Sequence, residues 1–114
     1  MATDRKTVDY LVDQMSKAGP VSARPMFGEY GVYCDGKMVA IIADGQLFLK
    51  PTPAGRALAA GAEEAPPYPG AKPHMLIDAD RWEDQDALSD LVRATAAALP
   101  APKPKVAKAQ KGTR

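Results

Sequence analysis

The sequence predicts an α+β fold: a two-layer sandwich in which an antiparallel β-meander sheet packs against N- and C-terminal helices. Three observations carry this. Tyr30–Cys34, Lys37–Ala43 and Gln46–Lys50 are short β-type runs separated by Asp35-Gly36 and Asp44-Gly45. Asp-Gly between apolar runs is a strong hairpin signal, because the favoured two-residue turns need positive φ. An amphipathic helical stretch precedes these runs and another follows them.

The elements follow in order. A first helix is expected from Asp4 to Ala18, capped by Thr3, with Val8, Leu11, Val12 and Met15 on one stripe. Gly19-Pro20 ends it. Val21–Phe27 reads as a strand, and Arg24-Pro25 makes it an edge strand, since proline has no ladder donor. The meander comes next. Thr52-Pro53 then starts a short helix that Gly61 ends. Residues 62–73, with four prolines, read as loop. His74–Asp78 reads as a strand and Gln85–Leu99 as the last helix, with Leu88, Leu91, Val92, Thr95 and Leu99 on one side. Residues 1–99 therefore form one domain. Residues 100–114 form a Pro/Lys-rich basic tail, expected to be disordered or extended.

Charge divides the chain in the same place. The tail holds Lys103, Lys105, Lys108, Lys111 and Arg114 and no acid. Removing those five from 15 basic residues leaves 10 against 14 acids, so the body is −4 and the tail +5. An acidic body is a poor nucleic-acid surface, because affinity there rests on neutralising phosphates. Nucleic-acid contact would fall to the five tail cations, with help from Arg24, Lys37 and Lys50.

If both Asp-Gly turns are regular, Tyr33 pairs with Met38, Ile42 with Leu47, and Ala40 with Gly31 and Leu49. These seven residues should lie under the helices. The opposite side would then centre on Val32, Val39, Ile41 and Phe48. A two-layer domain leaves such a side open, so these four are the candidate interaction face, for a second copy of the chain or another protein. A bulge would re-sort the faces of the adjoining strand.

Catalytic, cofactor and metal chemistry finds no constellation. His74 and Cys34 are the sole histidine and cysteine and lie far apart in sequence, unlike clustered metal ligands. A lone histidine without a G-x-S-x-G elbow gives no triad. Cys34 could act as a nucleophile, alongside Tyr30 and Tyr33, if Lys37 lowered its pKa, but a small apolar role is the simpler reading. The acids Asp78, Asp80, Glu83, Asp84 and Asp86 fail as a calcium loop: Trp82 stands at a ligand position, Glu83 at the glycine and Ser89 at the terminal glutamate. Helix capping accounts for them. Gly28-Glu29-Tyr30-Gly31 joins two strands, unlike a phosphate loop. The expectation is a non-enzyme without cofactors. The lone cysteine, the absence of an apolar leader and apolar runs far shorter than the ~20 residues of a membrane helix read as a cytoplasmic, non-membrane protein.

The run Arg24-Pro25-Met26-Phe27-Gly28-Glu29-Tyr30-Gly31-Val32-Tyr33, then Asp35-Gly36, then Ile41-Ile42-Ala43-Asp44-Gly45-Gln46-Leu47-Phe48-Leu49-Lys50, resembles the TfoX/Sxy N-terminal domain family. Its core covers residues 21–52, and element order extends the likeness to 4–99. Glu29 stands where a second glycine is usual, and His74-Met75-Leu76-Ile77 replaces a more aromatic strand. The resemblance implies a two-layer sandwich and no transferable catalytic residues. Full-length members regulate natural competence with a cyclic-AMP receptor-type activator and carry a C-terminal helical domain. Only a short tail follows Leu99 here, so the expectation is a stand-alone interaction module, an accessory in transcriptional regulation. The alternatives are direct nucleic-acid binding through the tail and a small-molecule-binding domain.

Overall fold

A computed structural model describes residues 3–26 and 28–100. Among these residues six antiparallel strands form one sheet: β1 (Val21–Met26), β2 (Glu29–Cys34), β3 (Lys37–Ala43), β4 (Gln46–Leu49), β5 (Glu64–Ala65) and β6 (His74–Ile77). Their spatial order is β1-β2-β3-β4-β6-β5. The helices are α1 (Arg5–Met15), α2 (Pro53–Leu58), α3 (Ala79–Trp82) and α4 (Gln85–Ala98). The α+β meander is as the sequence predicts.

The turns show why. Asp35 and Gly36 have φ 53° and 81°, and Asp44 and Gly45 have φ 52° and 71°. Both reversals therefore use two left-handed residues, which suits aspartate followed by glycine. Asp4, rather than Thr3, caps α1 by accepting from the Lys6 N–H, and α1 ends in a 3₁₀ turn over Ser16–Ala18. Thr52 caps α2 by accepting from Gly55 N at 3.0 Å. Two elements go beyond the sequence reading. Glu64–Ala65 pairs with β6 inside the stretch read as loop. Asp78 caps the short α3 by accepting from Arg81 N, ahead of Asp84 capping α4 through Ala87 N.

Strand β1 is an edge strand, and its ladder explains Pro25. Asp35 N–H donates to Pro20 O at 3.0 Å. Backbone groups alternate inward and outward from that bond. Ser22, Arg24 and Met26 thus face β2, while Val21, Ala23 and Pro25 turn outward. Proline occupies a position whose missing N–H the sheet does not need.

The main core lies between one side of the sheet and the helices. Val8, Leu11 and Met15 of α1 and Leu88, Leu91 and Val92 of α4 meet Ala40, Ile42, Leu47, Leu49, Met75 and Ile77 there. Among the described residues every buried hydroxyl has a partner. Ser89 Oγ donates to Gln14 O at 3.0 Å, joining α4 to α1, and Thr95 Oγ1 donates to Leu91 O at 2.8 Å.

Strand β2 departs from the expected pairing. Tyr33 pairs with Met38, but Val32 pairs with Ala40 and Gly31 with Ile41. Val39 is the extra residue of a bulge, which turns Val39 and Ala40 toward the same side. Val32 and Val39 consequently lie in the helix-covered core, each 0% exposed, and not on the open side. Gly31, Tyr33 and Met38 take the other side instead. The β3–β4 pairs Ile42–Leu47 and Ala40–Leu49 are as expected.

Candidate interaction surface

The side of the sheet that no helix covers among the described residues gathers side chains from all six strands. Ile41, Ala43 and Phe48 form a small second core, with Met26, Met38, Ala65 and Leu76 half-buried around it. Of the four residues expected here, the structure brings together Ile41 and Phe48. Both are nearly covered, at 3% and 4% exposure. The accessible apolar surface belongs to Met26, Met38 and Leu76. Gly31 makes room for it: a Cβ there would lie 3.1 Å from Met38 Cε and 3.6 Å from Met26 Sδ. At one margin the Arg24 guanidinium sits 5.1 Å from the Tyr33 ring centroid, a cation–π contact.

One missed signal was present in the sequence. β1 alternates Val21 and Ala23 with Ser22 and Arg24, the one strand of the meander region with polar residues on one side. Its pairing places Ser22 beside Tyr33. Tyr33 therefore shares the solvent side, and Val32 the core side.

Glu29, where a second glycine is usual, holds three chain segments together. Its Oε1 accepts from Thr3 N at 3.1 Å and Thr3 Oγ1 at 2.6 Å, and its Oε2 accepts from Asp44 N at 3.1 Å. Gly45 N in turn donates to Thr3 Oγ1 at 3.1 Å. Partial burial pushes the Glu29 carboxyl up, but the hydrogen bonds from Thr3 and Asp44 outweigh it and hold its pKa below the usual value.

Cys34 is buried against Ala18, with Sγ 3.8 Å from the Ala18 carbonyl. Burial first, and then the charge of Asp35, push its thiol pKa up against the opposing pull of Lys37 and Arg93. Lys37 Nζ donates instead to Ala96 O at 2.8 Å, across the helix-covered side. This shift disfavours the thiolate, the nucleophilic form, and Lys37 and Arg24 lie on opposite sides of the sheet. His74 Nδ1 sits 2.8 Å from the Lys72 carbonyl at the start of β6. Asp78 and Asp84 are committed to helix caps, and Asp86 pairs with Lys17 at 2.8 Å. Among the described residues no group of three or more His, Cys, Asp or Glu could hold a metal ion, and no helix is long and apolar enough to cross a membrane. Lys103, Lys105, Lys108, Lys111 and Arg114 lie outside the described residues.

Fold and surface together define a class: a small α+β domain with an antiparallel sheet, one side closed by helices and the other apolar and, among the described residues, free of helix. Within that class, the chain belongs to the TfoX N-terminal domain family, whose model matches residues 13–99. It is also 46% identical over 108 residues to an uncharacterised 12.7 kDa protein in the trpE 5′ region of Spirochaeta aurantia, a match covering 95% of this chain and 93% of that relative. Membership suggests a role linked to competence regulation.

Proposed function

We propose that this chain is a non-catalytic protein-interaction module, an accessory in transcriptional regulation of the competence type, which contacts its partner through the helix-free side of the sheet. The carrying observation is the apolar surface of Met26, Met38 and Leu76 over the small core of Ile41, Ala43 and Phe48. Contiguous apolar surface of this kind marks contact sites, and unbranched methionines adapt to a partner's shape. The partner this reading favours is a second copy of the chain, because identical faces meet readily across a twofold axis.

Light scattering tests it. The wild type should have twice the chain mass. Met38→Lys should return it to a monomer with an unchanged circular-dichroism spectrum, since an interfacial ammonium would lose its hydration. Leu76→Lys serves as a second variant on β6. A wild-type monomer that also captures no transcription-associated protein overturns the reading.

A further inference from the structure

A second surface, distinct from the helix-free side, lies along the outer edge of β1. The outward N–H groups of Val21 and Ala23 and the outward carbonyls of Val21, Ala23 and Pro25 make no strand pairing among the described residues. Beside this edge, between α1 and β1, runs a groove of about 380 Å³. Val8, Val12 and Ala23 form its apolar floor, and Asp9 and Asp13 stand on its rim with Arg5, which bonds Asp9 at 3.1 Å. An exposed edge with an adjoining apolar groove is the arrangement that accepts an added strand: the backbone supplies hydrogen bonds and the groove takes alternate side chains.

We infer that the occupant is the basic C-terminal segment of this same chain, with Lys105–Lys111 adding as a strand to β1. Three observations select it. First, charge: the segment is +5 and the rest of the chain −4. Second, pattern: Lys105–Lys111 is free of proline and glycine, unlike the Pro102 and Pro104 before it and Gly112 after it. In an extended chain, Lys105, Ala107, Ala109 and Lys111 share one side. That side has a small apolar centre between two cations and matches an apolar floor with acids on its rim. Third, the point of departure. Arg93 Nη2 of α4 donates to Lys17 O at 2.8 Å, and Lys37 Nζ reaches Ala96 O. The second half of α4 therefore ends beside residues 17–20, where β1 begins. From Pro100, five extended residues span about 16 Å, enough to round the end of α1 and reach the edge. Pro25 limits the pairing to the first half of β1, which blunts the edge against longer strands.

Hydrogen exchange on the full chain, read residue by residue by NMR, tests this. The Val21 and Ala23 amides should exchange roughly tenfold or more slowly than free amides. The double substitution Lys105→Glu/Lys111→Glu should remove that protection and leave the amides of Leu47 and Leu49 protected, which reports an intact fold. The protection should survive tenfold dilution. Free exchange of Val21 and Ala23 in the wild type overturns the inference. So does protection that persists in the double variant, which assigns the edge to another occupant, or protection lost on dilution, which assigns it to pairing between copies.

Discussion

The β2–β3 and β3–β4 hairpins turn through the same dipeptide and yet differ in register. The β3–β4 ladder runs regularly from Ala43–Gln46 to Ala40–Leu49. The β2–β3 ladder starts regularly at Cys34–Lys37 and then slips one residue at Val39. Turn chemistry thus sets where the chain reverses. Which side each residue faces depends on what lies several residues from the turn. In β3–β4 the pair Ile42–Leu47, one step from the turn, already sits in the main core. In β2–β3 the slip moves Val32 and Val39 under the helices and Tyr33 and Met38 out.

The sharpest way to break this comparison is to place a charge at the bulge. Val39 is fully buried, so Val39→Asp should cost roughly 4 kcal/mol or more, since an unpaired charge would be buried in the core. Met38→Lys, one residue earlier, should cost less than about 1 kcal/mol when both proteins are compared at a concentration where the wild type is monomeric, as its side chain stands at an accessible margin. Urea unfolding of both variants checks the contrast. A tolerated Val39→Asp would mean the ladder is regular after all.

This contrast also explains what was legible. The reversals, the edge position of β1 and the helix stripes all rest on local chemistry: positive φ at Asp-Gly, the missing donor of Pro25, the spacing of Leu88, Leu91 and Val92. The bulge does not. Val39, Ala40, Ile41, Ile42 and Ala43 are all apolar, so no polar residue marks a side. β5 was illegible for a related reason, since two residues among prolines carry no period. It forms because Leu76 N–H donates to Glu63 O at 2.7 Å and Arg56 pairs with Glu64 at 2.9 Å. Of the candidate face, Ile41 and Phe48 could be read from β3–β4, whereas Met26 and Leu76 needed the sheet order and Met38 the bulge.

The next prediction sharpens the comparison at the turns. The β3–β4 turn is tied to Thr3 through Glu29; the β2–β3 turn has no such tie among the described residues. Glu29→Gln weakens charge-assisted bonds worth roughly 1.5–3 kcal/mol, so a loss of about that size is expected at neutral pH. The folded-state pKa of Glu29 lies below its ordinary value of 4.5. Its contribution is therefore complete above that value and disappears as pH falls through the lowered one. Wild type and variant should converge in stability at acid pH and diverge above it. A constant difference across this range would deny the carboxylate its role.

Gly45→Ala and Gly36→Ala should each cost about 1–2 kcal/mol through left-handed backbone strain, as both glycines have positive φ. A Cβ at Gly45 would meet nothing within 4 Å, so its cost is conformational and not steric. Equal losses in thermal melts would show that the two turns are alike as turns, and that their hairpins differ only beyond them.

The smallest effect tests the bulge from the other side of the sheet. Only if β2 turns Tyr33 away from the helices can Arg24, an outward-reaching residue of the neighbouring edge strand, lie over its ring. A double-mutant cycle with Arg24→Ala and Tyr33→Leu should then give a coupling of about 0.5–1 kcal/mol, the size of an exposed cation–π contact. The two residues face each other diagonally across β1 and β2, and no other aromatic or acidic partner of Arg24 occurs among the described side-chain contacts. Both single variants should keep the fold, because neither side chain belongs to the main core. A coupling indistinguishable from zero, with both variants folded, would place Tyr33 on the helix side and return the β2–β3 ladder to the regular register that its turn alone predicts.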